Sequence, residues 1–386
     1  MKSINSPADV NVSRILRLIW QHKGISRIEI ANELGIDKST VTKIISNLSE
    51  IGIISEIAQG STGPQGGRRP IFLEISKKFA CVGGIEINPE RFVCCLLDLH
   101  GVVLYQFQEK VSPSLYKKLG CVGVFLRAYE KISIEAKKLE LPLLGIGVGV
   151  PGMVDSKCGE IIQSVSLMIE EPYSFITEIS KFVKVPVYLE NDARCGCYSE
   201  KMLANDSNMQ NMLFVLTEYR VVQPKDTSSK NLSVGLGIVI NGQMYKGCEG
   251  SAGEFRSVMW NGGTGQFLAS DSPESELSFD ELFQELACHI AFLVNVLNLE
   301  IVYIGGMDQS LAKNLMMMIS DRIEFQWPYC RPRKYEVRIA SLGSFSVSYG
   351  AASMVIEDLF SLPNLSYKSG AAPSILESLT NIKNNF

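Results

Sequence analysis

The chain has 386 residues, 46% hydrophobic and 20% charged, with a formal net charge of −4, an ordinary globular composition with material for two or three domains. Residues 1–80 hold 11 Lys and Arg against 7 Asp and Glu, whereas the remainder holds 26 against 34, so a polyanionic partner would favour the front of the chain. The apolar runs are too short for a membrane span or a signal peptide. The ten cysteines include no CxxC pair, which argues against a zinc or disulfide scaffold. We therefore expect a cytoplasmic protein with reduced thiols.

The first predicted elements are two helices joined by a tight turn. Apolar residues at helical spacing predict a helix over residues 8–22. A capping box formed by Ser26 and Glu29 opens a second, short helix. Gly35 ends that helix at a position that needs positive φ. This arrangement is typical of a helix-turn-helix, although small protein-binding helical modules share it.

A third helix is expected over about 38–50, with Asp37 as its cap. Its apolar side chains repeat at i, i+3, i+4 and i+7 and face inward: Val41, Ile44, Ile45 and Leu48. Its other face carries hydrogen-bonding side chains that we predict to contact DNA: Lys38, Ser39, Thr40, Thr42 and Lys43. Such a helix can enter a major groove, where its first turns meet base edges and phosphates.

A β-hairpin wing follows the third helix. Strands are predicted over 52–57 and 71–75, and the loop between them is rich in glycine. The loop holds Arg68 and Arg69 and no acid, which suits phosphates or a narrow minor groove. We therefore predict that residues 1–80 form a winged helix-turn-helix domain that binds a double-stranded DNA operator.

Residues 81–386 alternate strands and helices, which predicts an α/β architecture of two lobes with a cleft between them. The predicted strands are 82–87, 91–98, 101–110, 143–150, 185–189, 212–216, 233–240 and 301–306. The predicted helices are about 114–139 and 279–298. Asn191 and Asp192 follow one of these strands, where polar groups of α/β folds tend to meet ligands. An aspartate there could deprotonate a hydroxyl, but spacing alone favours a turn-capping pair.

Several motifs carry a resemblance that covers nearly the whole chain. They are Val150–Asp155 (PG-x-V-D), Pro186–Ala193 (PV-x-x-ENDA), Gly250–Glu254 (ending in AGE), Ile304–Gly306 (a glycine turn) and Gly66–Pro70 in the wing. Together they resemble the ROK family of repressors and sugar kinases, and the wing motif is similar to its xylose and N-acetylglucosamine repressor branch.

The resemblance implies a winged helix-turn-helix followed by a two-lobed, actin-like ATPase (ribonuclease H-like) sugar-kinase fold. The lobes would cover about 81–190 with the C-terminal segment, and 191–360. In the family the Asn and Asp of ENDA hold the sugar and the Asp is the kinase base, a position that Asp192 matches. The implied effector-binding residues are Asn191, Asp192, Glu254, Ser257 and Gln266.

The departures from the family pattern concern the nucleotide, the metal and part of the sugar site. Glu86–Arg91, which contains a proline, replaces the phosphate loop D-x-G-G-T-K, and Asn231–Ser233 replaces the second loop, G-T-G. Ser257 stands in place of the family's histidine, Gln266 in place of a sugar-binding Glu, and the zinc cysteines are missing. We therefore expect no metal, no cofactor and no catalytic residue.

The sequence thus predicts a repressor of carbohydrate-related genes with a sugar or sugar-derivative effector, acting as a homodimer or tetramer on paired half-sites. Two alternatives stay open. The chain could be an active sugar kinase with a DNA-binding appendage, or a regulator controlled by a protein partner and not by a sugar.

Overall fold

The computed structural model describes residues 7–22, 24–59, 71–204, 209–221, 230–262, 265–268 and 279–362. Within these ranges a small helical unit with a three-stranded sheet precedes two five-stranded sheets with flanking helices. None of the helices in the described ranges combines the length and apolar character needed to cross a bilayer.

The N-terminal unit consists of α1 (Pro7–Gln21), β1 (Ile25–Ser26), α2 (Arg27–Leu34), α3 (Lys38–Ile51), β2 (Ile54–Gln59) and β3 (Ile71–Ile75). The predicted capping box is confirmed, because Ser26 Oγ accepts from the Glu29 N–H and the Ser26 N–H donates to the Glu29 carboxylate. Gly35 ends α2 with φ 64°, and Asp37 caps α3 by accepting from the Ser39 N–H, both as predicted. Strands β2 and β3 pair antiparallel, and β1 pairs with the other edge of β3.

The first lobe contains β4 (Cys81–Asn88), β5 (Arg91–Asp98), β6 (Val103–Lys110), α4 (Pro113–Lys138), β7 (Leu143–Val150), β8 (Met153–Asp155), β9 (Glu160–Gln163), α5 (Phe175–Ile179) and β10 (Val187–Asn191). Its sheet has the order β6-β5-β4-β7-β10, with β4, β7 and β10 parallel. Strand β10 runs two residues past the predicted end and includes Asn191.

The second lobe contains β11 (Met212–Val221), β12 (Lys230–Ile240), β13 (Gln243–Met244), α7 (Phe279–Leu297), β14 (Ile301–Gly305), α8 (Gln309–Gln326) and β15 (Glu336–Ile339). Its sheet order, β13-β12-β11-β14-β15, repeats the pattern of the first lobe: an antiparallel hairpin followed by parallel strands. Strand β11 continues five residues beyond the predicted 212–216, because it stays paired with β12 as far as Val221.

Two helices, α6 (Asp192–Ala204) and α9 (Ser346–Leu359), pack against each other between the two sheets. Helix α6 contacts β11 and β12, whereas α9 contacts β4, β5 and β7. Gly350 allows this close approach, since a Cβ there would lie only 1.6 Å from the Cys195 carbonyl oxygen. Helix α9, which the sequence reasoning did not predict, thus returns the C-terminal part of the chain to the first lobe.

The N-terminal unit packs on the first lobe through a shared apolar core. The Trp20 ring of α1 stacks on Phe360, with 5.2 Å between ring centroids. Trp20 Nε1 donates to the Leu99 carbonyl at 3.1 Å, and His100 Nε2 lies 2.6 Å from the Ile75 carbonyl. The contact between the N-terminal unit and the first lobe therefore combines one ring stack with two polar contacts.

Candidate functional site

Helix α3 presents its polar side chains outward. Val41, Ile45 and Leu48 are buried, and Ile44 is half-buried. Of the predicted DNA contacts, Thr40 is half-buried and the other four are exposed: Lys38, Ser39, Thr42 and Lys43.

Two hydroxyls on this face make bonds within the helix. The Thr42 hydroxyl donates to the Lys38 carbonyl at 2.8 Å, and the Ser39 hydroxyl donates to Asp37. The two lysine ammonium groups, together with hydroxyl oxygens that can still accept, suit a phosphate backbone and base edges. Arg68 and Arg69 of the predicted wing lie outside the described residues.

A cavity of about 550 Å³ lies between the lobes, within the size range of small-molecule sites. Four of the five predicted effector residues line it: Asn191, Asp192, Glu254 and Gln266. Ser257 does not line the cavity and is buried. The remaining wall comes from Gly152–Met153, Gln163–Ser166, Leu216, Glu218, Leu232–Gly235, Phe255, Arg256 and Gly265.

Asn191 and Asp192 mark the junction where β10 ends and α6 begins. Asn191 Nδ2 donates to the Gly152 carbonyl at 3.1 Å, and its Oδ1 accepts from the Arg194 N–H. Asp192 Oδ1 accepts from the Ala193 N–H at 2.8 Å. These bonds cap the first turn of α6 and orient both side chains at the cavity wall, so the turn-capping and ligand-binding interpretations are compatible.

A buried ion pair supports this junction. Glu190 and Arg194 are 0% and 1% exposed, and Arg194 Nε donates to Glu190 Oε1 at 2.7 Å. Burial alone would raise the pKa of Glu190, but Arg194 and Lys246 outweigh it and hold that pKa below its ordinary value. Arg194 also donates to the Gly250 carbonyl at 2.8 Å, which fixes the segment that leads to Glu254.

Ser257 and Gln266 have their polar atoms engaged within the protein. Ser257 Oγ lies 2.9 Å from His289 Nε2, and burial lowers the pKa of that histidine. The Gln266 amide accepts from the Val234 N–H at 2.6 Å and donates to the carbonyls of Val234 and Phe255. Gln266 thus joins β12 to the segment that contains Phe255, and part of its side chain lines the cavity. Ser257 supports this wall without lining it.

The residues at the phosphate-loop position form an ionic cluster across the cleft. Arg91 donates from one guanidinium nitrogen to Glu86 and to Glu218, each at 3.0 Å, and Asn88 Nδ2 lies 3.3 Å from the second Glu218 oxygen. Glu86 belongs to the first lobe and Glu218 to the second, so Arg91 bridges them. Burial raises the pKa of Glu86 to about 7, and the nearby Glu218 and Asp192 carboxylates contribute to the rise.

This cluster predicts a pH dependence of stability. Folded Glu86 keeps its proton up to about pH 7, whereas an unfolded glutamate loses it near its ordinary pKa of 4.5, so stability falls as the pH rises through this window. Between about pH 5.5 and 8 the parent should lose about 1–2 kcal/mol more than a Glu86→Gln variant in urea unfolding. If the two proteins lose the same stability over this pH range, Glu86 does not have a raised pKa in the folded protein.

Sequence reasoning missed Glu218 and Arg256 as cavity residues. Glu218 belongs to the extension of β11, which was predicted to end at residue 216, so its position across the cleft from Arg91 could not be anticipated. Arg256 follows Glu254 by two residues, a spacing that puts both on one face of an extended chain and could have indicated it, and both line the cavity. Within the described ranges, no cluster of three or more His, Cys, Asp or Glu is placed to hold a metal.

Comparison with known proteins agrees with these features. The ROK family model matches residues 82–258, and a winged helix-turn-helix DNA-binding model matches residues 9–55. The chain is 28% identical over 249 residues to the xylose repressor of Staphylococcus xylosus, which covers 64% of this chain and 60% of that protein. It is 24% identical over 407 residues to the putative xylose repressor of Caldicellulosiruptor sp., covering 92% and 97%. The match to the N-acetylglucosamine repressor of Escherichia coli is 26% identical and covers 64% and 57%.

Solved structures share the fold. A ROK family transcriptional regulator, homologous to the Escherichia coli MLC protein, superposes with a TM-score of 0.71 at 18% identity and covers 97% of this chain and 99% of its own. A ROK family glucokinase from Streptomyces griseus gives a TM-score of 0.53 at 16% identity, covering 71% and 99%. The chain therefore joins an N-terminal winged helix-turn-helix to a ROK family domain with the sugar-kinase, actin-like fold.

Proposed function

We propose that the chain is a DNA-binding transcriptional repressor of carbohydrate-related genes whose ROK domain binds a sugar effector in the interlobe cavity. The observation that carries this proposal is the exposed polar face of α3 in a helix-turn-helix that packs directly on a domain with a cavity. Similarity to proteins named xylose and N-acetylglucosamine repressors supports it.

We also propose that the chain does not phosphorylate the sugar. Phosphoryl transfer depends on cations and backbone N–H groups placed around the nucleotide phosphates. At the first phosphate-loop position Arg91 is engaged by two carboxylates, and at the second, residues 231–233 pair with β11 in a ladder. Incubation with Mg-ATP and a panel of hexoses should yield no sugar phosphate, and turnover on any hexose would favour the kinase alternative.

We propose that two copies act together on DNA, because paired half-sites require two reading helices. Light scattering after size-exclusion chromatography should give a mass of at least twice the 42.6 kDa chain. A protein that stays monomeric both alone and on operator DNA would contradict this arrangement.

The wing provides a direct test of DNA binding. Replacing Arg68 and Arg69 with alanine should weaken binding to all sequences alike and lower the slope of log affinity against log salt by about 2, because two phosphate contacts are lost. A Lys77→Ala, Lys78→Ala variant removes the same charge from exposed positions just after β3 and is the matched control. Equal salt slopes for parent and wing variant, measured by fluorescence anisotropy, would show that the wing does not contact phosphates.

Control by a protein partner is the second candidate. It is favoured by the engagement of Ser257 and Gln266 within the protein, since the Ser257 hydroxyl and both amide hydrogens of Gln266 are already used. A thermal-shift screen against sugars separates the candidates, because a ligand raises stability by about 2.7 kcal/mol at a hundredfold excess over its dissociation constant. The sugar that shifts the melting temperature should also change DNA affinity, and a screen without any shift would favour the partner.

A further inference from the structure

The charged side chains around the cavity are mostly acidic. Asp192, Glu218 and Glu254 line it, and Arg256 is the cation among its described lining residues. The Arg256 guanidinium lies 4.1 Å from the centroid of the Trp260 ring, so its positive charge is held against an aromatic face. The wall therefore presents more negative than positive charge to a ligand.

The cations behind the wall are already engaged by carboxylates. Arg91 is engaged by Glu86 and Glu218. Arg194 and Lys246 are both engaged by Glu190. Glu86 is only 2% exposed, and its second carboxylate oxygen is buried without a hydrogen-bond partner in the described part of the chain. Its pKa is raised by burial and by the proximity of Glu218 and Asp192, as expected where carboxylates crowd together.

Several backbone N–H groups near the wall, which are the other means of holding an anion, are used inside the protein. The first turn of α6 could attract an anion, but the Ala193 and Arg194 N–H groups donate to the side chains of Asp192 and Asn191. Along β12, the Val234 N–H donates to Gln266 and the Leu236 N–H donates to the Gly253 carbonyl.

Building on the proposed function, we propose that the effector is a sugar without a phosphate or carboxylate group, and that Asp192, Glu218 and Glu254 make the cavity reject sugar phosphates. Carboxylates accept hydrogen bonds from hydroxyl or ammonium groups, so uncharged sugars and amino sugars fit this wall. A phosphate dianion brings like charge next to carboxylates in a partly enclosed site, where charges interact more strongly than in water.

Matched pairs of ligands test this inference. Calorimetry on the full chain would compare xylose, glucose and N-acetylglucosamine with their phosphate esters at low salt. We expect at least one free sugar to bind and its ester to bind at least about tenfold more weakly. This difference in affinity, the gap between sugar and ester, should shrink as salt screens the repulsion. An ester that binds as tightly as its free sugar overturns the charge assignment and leaves the proposed function standing. If neither member of any pair binds, the sugar effector itself is overturned.

A charge-neutralising variant locates the cause. Glu254 is exposed at the cavity wall, so Glu254→Gln should fold and should narrow the gap between a sugar and its ester about threefold. Glu109→Gln removes the same charge from β6, an edge strand of the first sheet, and should leave the gap unchanged. An identical gap in the parent and Glu254→Gln would show that Glu254 does not exclude anions.

Discussion

Arg194→Met is expected to lower the free energy of unfolding by about 3–5 kcal/mol, because it leaves the fully buried Glu190 carboxylate without its main ion-pair partner. Lys246 Nζ still lies 2.5 Å from the other Glu190 oxygen, so part of the charge stays balanced and the lower end of the range is expected. The Gly250 and Ala252 carbonyls also lose their donor. Urea unfolding followed by circular dichroism measures the change.

A second variant separates the buried charge from simple loss of packing. Combining Arg194→Met with Glu190→Gln removes the unpaired charge and should recover about half of the lost stability. Lys201→Met provides the control, since Lys201 pairs with Glu357 at a partly exposed site where an ion pair is worth about 0–1 kcal/mol. If Arg194→Met costs no more than Lys201→Met, the buried pair does not hold the junction together.

The same substitution has a local consequence at the cavity. Arg194 joins α6 to the segment 250–252, and Glu254 follows two residues later. Losing this tie lets the segment move relative to Asn191 and Asp192. Effector affinity should therefore fall more in Arg194→Met than in a variant of equal stability that is altered far from the cavity, a comparison that calorimetry makes directly.

Local chemistry made the N-terminal unit predictable. The Ser26 capping box, the Gly35 turn and the Asp37 cap each depend on residues within four positions of one another, and all three are present in the structure. The buried strands β5 and β7 have their predicted bounds of 91–98 and 143–150, because turn residues flank continuous apolar runs.

Features that depend on distant partners escaped prediction. The extension of β11 is stabilised by pairing with β12 and not by its own composition, so a short strand was expected. Ser257 was predicted at the cavity because it stands in place of the family's histidine, yet its hydroxyl contacts His289, which is 32 positions away. Such contacts are set by tertiary packing, which spacing along the chain does not encode.

The position of α9 places packed elements between the cavity and the DNA-binding unit. Helix α6 begins at Asp192 in the cavity wall and packs tightly on α9, where the Cys195 carbonyl meets Gly350. Phe360 directly follows α9 and stacks on Trp20 of the N-terminal unit. Packed elements therefore connect the proposed effector site to α1, and a ligand-induced shift of α6 could reach the DNA-binding unit along them.

Trp20→Ala is expected to cost about 2–4 kcal/mol of stability, somewhat below a fully buried tryptophan because the ring is half-buried. It removes both the stack on Phe360 and the hydrogen bond to Leu99, so the sugar-dependent change in DNA affinity should shrink towards onefold while basal DNA binding persists. Trp20→Phe keeps an aromatic ring against Phe360 and loses only the Nε1 donor, so it should cost about 1 kcal/mol and retain most of the coupling. Anisotropy titrations with and without the sugar measure the coupling for all three proteins, and full coupling in Trp20→Ala would show that the signal reaches the DNA-binding unit by another route.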